Sequence, residues 1–489
     1  MEILERNKEI YTLYKSVFLK NYQLEDPNVI CRRVSNLSEF AYKSHVGIFR
    51  DDFIEDCLKW LGSLILKDHL PIIKKKPERK ILHIISKYCI GGHISLVQNT
   101  IAALKDYEHY IIFTQEASEK YDHIKSIFPI AKIKFLDLKN SEIQKATNLK
   151  NYCKQYETLF IFQNPEDCVP SIALSSRNQR QSVYYFNHAD HAFWLGADIC
   201  DYTVEIRDAG KNISQLARNL QRSFVIDLPI KIKERIKKQK NSGKILAISM
   251  ASKHKFMPKE NYNFFKIWEK ILNRQNNLVL GIVGLEQKDL PKFIMHHPRV
   301  ITYGIVKDPT KILLSADLAV DPIPLGSYTS LLETCSLGSF PVFNYNPLKI
   351  FDLSNDPSFI HLKVNINSEE DYISNVLNLC LDHEKLINRG HEVRKKITKD
   401  HSIEKYKNQL SKILSKNYKE KLETEFSGEL NFEHDRMAKI NFNQNNYDQL
   451  LHRILKENVK LNLKQIFLKR NLIKLLGGNL RDLKYSMKN

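Results

Sequence analysis

Short apolar runs rich in β-branched and aromatic residues alternate with helix-length segments twice along this 489-residue chain. Strands that are apolar on both faces and joined through helices are typical of parallel sheets covered on both sides. The pattern therefore predicts an α/β protein with two doubly wound, Rossmann-like lobes. We expect strands at 81–85, 110–113, 133–136, 159–162 and 183–186 in the first lobe, and at 245–248, 279–283, 300–303, 318–320 and 341–343 in the second.

Changes in this pattern divide the chain into four segments. Residues 1–76 carry apolar residues at three- and four-residue steps, which predicts a helical N-terminal extension. The alternation that follows predicts an N-terminal lobe over 77–230 and a C-terminal lobe over 231–418. It stops there, so 419–489 is predicted as a C-terminal extension. Because open α/β sheets bind ligands at the carboxyl ends of their strands, we expect the function to lie in a cleft that both lobes face.

The composition narrows the functional classes. The chain has 75 Lys and Arg against 56 Asp and Glu, a formal charge of +19. That surplus suggests a nucleic-acid-binding protein, but basic clusters interleaved with aromatic residues and recognisable binding modules are missing, so no nucleic-acid partner is expected. The sequence has no signal peptide or apolar run of about 18 residues, which predicts a cytoplasmic protein. Its eight scattered cysteines predict neither disulfides nor a zinc site.

The last 30 residues form a basic amphipathic segment. Residues 460–489 contain eight Lys or Arg and one Asp, a net charge of +7. Apolar residues lie between these charges at helical steps, among them Ile466, Phe467, Ile473 and Leu476. A helix of this kind can lie on an anionic membrane surface, which predicts a peripheral position on the cytoplasmic membrane face. Alternatively, its apolar face docks on the lobes of the chain itself or on another subunit.

A Gly/Ser/Thr-rich loop in the second lobe carries the strongest chemical pattern. A predicted strand ends at Asp321, and a helix starts near Thr329 and ends at Gly338. The loop directs hydroxyls and backbone N–H groups, including those of Ser327, to a helix N-terminus, where the helix dipole favours a phosphate. Glu333 lies one turn further on the same face, within reach of a ribose diol. The alternative is an ordinary capped helix in which Ser327 and Thr329 bind only backbone groups.

A second loop of this lobe follows the predicted strand 245–248. Its Ser252 and two lysines, Lys253 and Lys255, lie at the carboxyl end of that strand. A lysine at this place can reach a diphosphate, and we favour Lys255 for that role. Both lysines can equally be solvated surface residues.

In the first lobe, Gly91 and Gly92 follow the first strand and precede a helix. Two glycines allow a tight turn and a close approach of the backbone to a ligand, and His93 is expected at the helix N-terminus, facing the cleft. His93 can alternatively cap its own helix. The segment is not G-x-G-x-x-G, and no acidic residue follows at the expected strand end, so a nicotinamide cofactor is not expected.

A histidine-rich loop follows the last predicted strand of the first lobe. His188, Asp190 and His191 lie within four residues, but this spacing is a weak metal-ligand signal. Acid–base chemistry fits better, because Asp190 can orient the His191 imidazole to take a proton from an acceptor hydroxyl at neutral pH. The alternative is a hydrogen-bond network that stiffens the loop around Trp194.

These motifs resemble those of the O-linked N-acetylglucosamine transferase family and its bacterial protein-glycosylating relatives, which are GT-B-type nucleotide-sugar glycosyltransferases. The resemblance covers about residues 79–345. It rests on Lys255-Phe256-Met257-Pro258, on Ala316, Asp317 and Asp321, on Thr329, Ser330 and Glu333, and on Gly338 followed by Pro341-Val342. It departs from the family where Glu333 replaces an Asp, where His188 to His191 replace a Gly/Pro/Thr-rich loop, and where tetratricopeptide repeats are missing.

The resemblance implies a GT-B architecture with an acceptor-side first lobe and a donor-side second lobe. By that resemblance the donor's diphosphate is held by Lys255, Tyr328, Thr329 and Ser330 and its ribose by Glu333. We add Ser252, Ser327 and Gly92 to the expected donor site, because they lie on the strand-end loops described above.

The implied reaction transfers a sugar, most simply from a UDP-sugar, to a protein, glycan or lipid-linked acceptor. The pair Asp190 and His191, or His93, is the candidate base. Two glutamates separated by seven residues, a pattern of retaining members, are missing, since Leu325 and Pro341 lie eight positions from Glu333. This favours inversion, and without a D-x-D motif we expect no metal and no cofactor. A sugar-nucleotide epimerase of the same two-lobe design is the alternative.

Overall fold

The computed structural model describes residues 1–65, 79–89, 91–231, 243–259, 261–345, 347–362, 365–415, 432–456 and 463–477. Two compact units emerge from the packing of the chain: residues 1–226 together with 419–489, and residues 227–418. The lysine-rich boundary predicted at 74–77, most of the basic stretch at 231–240 and the tail residues 478–489 lie outside the described residues.

The sheet of the first unit is parallel throughout. Its strands are β1 (Lys80–Ile85), β2 (Glu108–Phe113), β3 (Lys132–Phe135), β4 (Thr158–Phe162), β5 (Ser182–Asn187), β6 (Tyr202–Glu205) and β7 (Ser223–Val225). They lie in the order β3-β2-β1-β4-β5-β6-β7, and β1 pairs with β2 at Lys80↔Glu108 and with β4 at Ile81↔Thr158. The five predicted strands are confirmed, whereas β6 and β7 were not predicted as part of the alternation.

Helices pack on this sheet, and further helices of the unit come from both ends of the chain. They are α1 (Ile3–Tyr14), α2 (Pro27–Ser44), α3 (Asp52–Leu64), α4 (Gly92–Ala103), α5 (Tyr121–Ile127), α6 (Glu142–Cys153), α7 (Cys168–Leu174) and α8 (Asp208–Leu216), with α15 (His434–Asn441), α16 (Gln444–Lys456) and α17 (Leu463–Leu475) from the end of the chain. The start of α2 shows the local cause: Pro27 occupies its first turn, and the Asp26 carboxylate accepts the N–H of Asn28 at 2.9 Å.

The helices from both termini pack together in the first unit. Leu472 and Ile473 of α17 are buried in the same apolar core as Ile10 of α1 and Tyr447 of α16. The Arg6 guanidinium donates through Nε to the Leu475 carbonyl at 2.8 Å, at the last residue of α17. Part of the apolar face of the tail is therefore buried within the chain itself, as the docking alternative predicts.

The second unit holds a smaller parallel sheet. Its strands are β8 (Ile245–Met250), β9 (Leu278–Val283), β10 (Val300–Thr302), β11 (Leu318–Val320) and β12 (Phe340–Val342), in the order β10-β9-β8-β11-β12. Its helices are α9 (Phe264–Arg274), α10 (Thr310–Leu314), α11 (Tyr328–Ser336), α12 (Glu369–Leu379), α13 (His383–Asp400) and α14 (Ile403–Leu414). Gly338, at φ +104°, ends α11 and leads into β12, which is the role the sequence pattern predicts.

Together the two sheets confirm the α/β prediction. In both, strands alternate with helices, and the central strands, such as β1, β4, β8 and β11, are buried on most residues. The strand pairs of both sheets run parallel. Within the described ranges, no helix combines the length and apolarity needed to cross a membrane. The strand ends of each sheet bring the loops singled out in the sequence to one edge.

The docking of α17 predicts unequal effects along that helix. Leu472 is fully buried, whereas Phe467 is 62% exposed. Leu472→Ala is expected to lower the free energy of unfolding of the first unit by about 2–4 kcal/mol, because it leaves a cavity in the core. Phe467→Ala, the matched control, should change it by no more than about 0.5 kcal/mol. Urea titration followed by tryptophan fluorescence measures both, and equal shifts would contradict the docked arrangement.

Candidate functional site

Asp321 organises the loop that precedes α11. It follows β11 directly, is buried, and accepts the backbone N–H of Ser327 at 2.7 Å. Burial raises the pKa of its carboxyl to about 7, although the Ser327 hydrogen bond and the charge of Lys255 act in the opposite direction. A Cβ on Gly326 would lie 2.7 Å from Asp321 Oδ2, so this close approach needs a glycine.

Lys255 reaches the same loop from the carboxyl end of β8. Its Nζ donates to the Gly326 carbonyl at 2.7 Å. Lys253, two residues earlier, is exposed and instead pairs with Asp289 at 2.7 Å. The structure thus separates the two lysines of the predicted donor loop: Lys255 lies on the α11 loop and Lys253 lies in a surface ion pair. Ser252 is exposed, with its Oγ 3.1 Å from His254 Nδ1.

The first turn of α11 lacks a side-chain cap. Ser327 occupies the N-cap position, yet its hydroxyl makes no bond to the helix backbone and donates to Ser330 Oγ at 3.0 Å. The ordinary-cap alternative is therefore wrong for Ser327. An uncapped helix N-terminus with hydroxyls and a lysine beside it can bind a phosphate oxygen.

The remaining donor-site predictions lie on the same helix. Thr329, Ser330 and Glu333 are half-buried, and Glu333 lies one turn beyond Thr329. Tyr328 is also half-buried, but its hydroxyl donates to the Asp356 carboxylate. Asp356 was not found by sequence reasoning, because it lies in a stretch without a recognisable motif.

In the first unit, Asp190 and His191 form a contact in the loop that follows β5. Asp190 is fully buried and its Oδ1 lies 3.3 Å from His191 Nδ1, whose side chain is 26% exposed. Arg207 donates two hydrogen bonds to this carboxylate, from Nε to Oδ2 at 2.6 Å and from Nη2 to Oδ1 at 2.9 Å. Burial alone would raise the pKa of Asp190, but Arg207 and His191 together hold it well below its ordinary range.

Two further buried groups fix this loop. Arg218 donates to the Asp190 and Ala192 carbonyls at 3.0 and 2.6 Å, and burial lowers its pKa to about 10. Glu205 accepts from Asn187 at 2.9 Å, and burial raises its pKa to about 7. Arg207, Arg218 and Glu205 were missed in the sequence, because they lie 14 or more residues beyond His191 and form no spacing pattern with the histidine loop.

His93 stacks on His188 instead of capping its helix. The ring centroids are 3.9 Å apart with planes 19° from parallel, and the N-cap of α4 is Gly91, which has no side chain to bond. Burial and the neighbouring ring lower the pKa of His93 well below its ordinary value, and burial lowers that of His188 to about 4. Both imidazoles are therefore neutral at pH 7. Gly92, the first residue of α4, is exposed.

The predicted residues thus form separate sets in the two units. The second unit brings Lys255, Asp321 and the α11 N-terminus together, and Ser252 lies outside those bonds. The first unit brings Asp190, His191 and Arg207 together, and stacks His93 on His188. Among the described residues, no group of three or more His, Cys, Asp or Glu side chains could hold a metal ion.

The Asp190–Arg207 pair predicts a pH-dependent stability. Arg207→Met should lower the free energy of unfolding by about 2–4 kcal/mol at pH 7, because a buried carboxylate loses its charged partner. Because folding lowers the pKa of Asp190 from its ordinary value of 3.8, the ionised carboxylate stabilises the fold at pH values above 3.8. This stabilisation is lost as the pH falls through the lowered pKa. The difference from the unsubstituted chain should therefore shrink in acid.

Lys59→Met is the control, because Lys59 is 54% exposed and pairs with Asp198 at the surface. It should cost no more than about 1 kcal/mol. Urea unfolding between pH 7 and 3 measures both variants, and a cost for Arg207→Met that does not depend on pH would contradict the assignment of a charged Asp190.

Comparison with known proteins identifies the fold. No protein-family description and no curated protein sequence matches the chain. Several solved structures, however, match the fold of the chain. HepE of Anabaena in complex with UDP is 13% identical, with 69% of this chain and 100% of HepE covered and a TM-score of 0.52. A mutant O-GlcNAc transferase of Thermobaculum terrenum is 12% identical, with 86% and 83% covered and a TM-score of 0.52.

A third neighbour is a mutant of S. aureus TarM in complex with fondaparinux, α-GlcNAc-glycerol and UDP. It is 12% identical, with 69% of this chain and 99% of TarM covered and a TM-score of 0.53. These neighbours are GT-B glycosyltransferases. At such low identity the likeness concerns the fold, and the chain has the GT-B fold that the sequence resemblance predicts.

Proposed function

We propose that the chain is a glycosyltransferase that transfers a sugar from a nucleotide-diphosphate sugar to a protein, glycan or lipid-linked acceptor. The observation that carries the proposal is the bond from Lys255 Nζ to the Gly326 carbonyl, which holds a cation on the uncapped N-terminal loop of α11. A diphosphate bound there would exchange that carbonyl for a phosphate oxygen, a stronger partner for an ammonium group. The GT-B fold supports the proposal.

We take a UDP-sugar as the donor. HepE and TarM were both crystallised with UDP, and HepE also with UDP-glucose. The diphosphate would lie between Lys255 and the first turn of α11, where Thr329 and Ser330 provide hydroxyls, and Glu333 would hold the ribose. As the sugar leaves, charge develops on the diphosphate, and the helix dipole together with Lys255 stabilises that charge without a metal ion.

For the acceptor we propose His191 as the base. Its Nδ1 faces the Asp190 carboxylate, which Arg207 keeps ionised, so Asp190 both orients the imidazole and stabilises the imidazolium that forms. The acceptor oxygen would then attack the anomeric carbon opposite the diphosphate, which inverts the configuration. His93 is the weaker candidate, because a low pKa makes it a poor proton acceptor at neutral pH.

The cellular localisation of the enzyme is predicted from the sequence alone. We propose a cytoplasmic enzyme, with the basic tail as its contact to an anionic membrane. Ile473 and Leu476 of that tail are buried in the first unit, whereas Phe467 is exposed, so only part of the apolar face remains for lipid.

Lys255→Ala should weaken UDP binding about 10- to 100-fold, because it removes a charge-assisted hydrogen bond to the diphosphate. Lys253→Ala is the matched control, since Lys253 is 58% exposed, lies two residues away and pairs with Asp289. Its UDP affinity should be unchanged. Isothermal calorimetry with UDP, GDP and inorganic phosphate measures the effect and the nucleotide preference.

Two results would contradict the donor site. One is equal UDP affinity in the two lysine variants and the unsubstituted chain. The other is stabilisation by no uridine or guanosine diphosphate in a thermal-shift panel of nucleotides and nucleotide sugars. If the chain converted a UDP-sugar to its epimer without an acceptor, it would be an epimerase and not a glycosyltransferase.

His191→Asn should lower the transfer rate about 100-fold or more and leave UDP affinity unchanged, because it removes the base but not a donor contact. Release of UDP from the preferred donor in the presence of peptide, glycan and lipid-linked acceptors measures the rate. His93→Asn is the comparison, and a larger loss in that variant would transfer the role to His93. NMR of the product's anomeric proton tests inversion.

A further inference from the structure

A buried histidine lies behind the Tyr328 side chain at the start of α11. Asp356 accepts the Tyr328 hydroxyl on Oδ2, and its Oδ1 accepts the N–H of Ser358 at 2.8 Å and lies 3.3 Å from His401 Nε2. The side chains of His401 and Asp356 are 0% and 3% exposed. The Tyr328 hydroxyl is thus joined to His401 through one carboxylate.

The second ring nitrogen of His401 faces another acceptor. Its Nδ1 lies 2.8 Å from the Leu228 carbonyl, and the His401 carbonyl accepts the N–H of Ile230 at 3.0 Å. A carbonyl and a carboxylate can only accept hydrogen bonds, so both ring nitrogens must carry protons for both bonds to form. The geometry therefore describes a buried imidazolium between the first residues of the second unit and Asp356.

The charges around this group favour the cation. Asp227 lies beside Leu228 in the chain and pairs with Lys405 at 2.8 Å, and Lys405 also lies 3.5 Å from Asp400. Burial lowers the pKa of His401, but the hydrogen bond and charge of Asp356, the Leu228 carbonyl and the charge of Asp227 raise it above 6.5 overall. Burial raises the pKa of Asp356, yet His401 and Tyr328 lower it overall.

We propose that the charged His401–Asp356 pair is a positioning device that holds Tyr328 and the first turn of α11 in place for the donor's diphosphate. This inference rests on the proposed donor site. Both side chains are buried, so neither is expected to touch the donor. They act through Tyr328, whose backbone belongs to the helix N-terminus that binds the phosphate.

The sign of the pH effect follows from the two ionisations. The pair is complete between the lowered pKa of Asp356 and the raised pKa of His401. As pH rises through the latter, His401 loses a proton and can donate only one of its two bonds. Asp227, Asp400 and Lys405 are the other charged groups near His401.

The test compares UDP affinity in three variants of the full chain by isothermal calorimetry, at about pH 6, 7.5 and 9. Tyr328→Phe removes only the hydroxyl, and His401→Gln removes the cation. Gln409→Ala is the matched control, because Gln409 holds the same segment through hydrogen bonds to Asp227, at 2.8 Å to its carboxylate and at 3.2 Å from its backbone N–H. Thermal unfolding of each variant is recorded alongside.

At about pH 6 both Tyr328→Phe and His401→Gln should bind UDP about 5- to 10-fold more weakly, the loss of one charge-assisted bond. The ratio of each variant's Kd to that of the unsubstituted chain should fall toward one as pH rises, since ionisation of UDP itself cancels in the ratio. Gln409→Ala should bind UDP normally even where it lowers the unfolding temperature.

Three results would overturn the inference: unchanged UDP affinity in Tyr328→Phe, a ratio that does not vary with pH, or equal weakening in Gln409→Ala. Should His401→Gln fail to fold, Tyr328→Phe alone decides. If the unsubstituted chain binds no nucleoside diphosphate, the proposed donor site itself fails, which is a separate outcome.

Discussion

Buried carboxylates at the carboxyl ends of parallel strands must be matched by donors, and the loops of both units follow from that requirement. A carboxylate away from water without hydrogen bonds costs several kcal/mol, more than most single contacts contribute. Asp167 shows the rule: it accepts from Ser86 at 2.6 Å and from Thr114, so the ends of β1 and β2 are tied to the loop after β4. Asp321 does the same for the loop after β11.

The partner of each carboxylate decides what it can do chemically. Glu205 and Asp321 are matched mainly by neutral donors, and burial raises the pKa of each to about 7. Asp190 is matched by a guanidinium and stays ionised. Of these, only Asp190 carries a lasting negative charge beside an imidazole. That contrast, and not the density of histidines in the loop, is the reason why we propose His191 as the proton acceptor.

The strands could be predicted because central parallel strands are continuous apolar runs, and each run in the sequence became a strand. β6 and β7 contain Thr203, Glu205 and Ser223, so neither forms a continuous apolar run. Strand-end position also predicted that Lys255 lies near the loop before α11, and its Nζ does bind the Gly326 carbonyl next to Ser327. Arg207 and His401 could not be predicted, because their bonds join segments 17 and 45 residues or more apart, and only packing sets those pairings.

Packing also decides where the charges counted in the sequence lie. Arg33 is 1% exposed and donates to the Phe18 carbonyl at 2.8 Å, Arg6 binds the Leu475 carbonyl, and Arg218 is buried against the histidine loop. Such guanidiniums satisfy carbonyls at helix and turn ends that have no intrahelical partner. They add to the +19 of the sequence but present little charge to solvent. Among the described residues, however, more acidic than basic side chains are buried, so burial does not reduce the positive surplus at the surface. The formal charge therefore says little about the partner, whereas a single lysine held at a helix N-terminus suits a diphosphate.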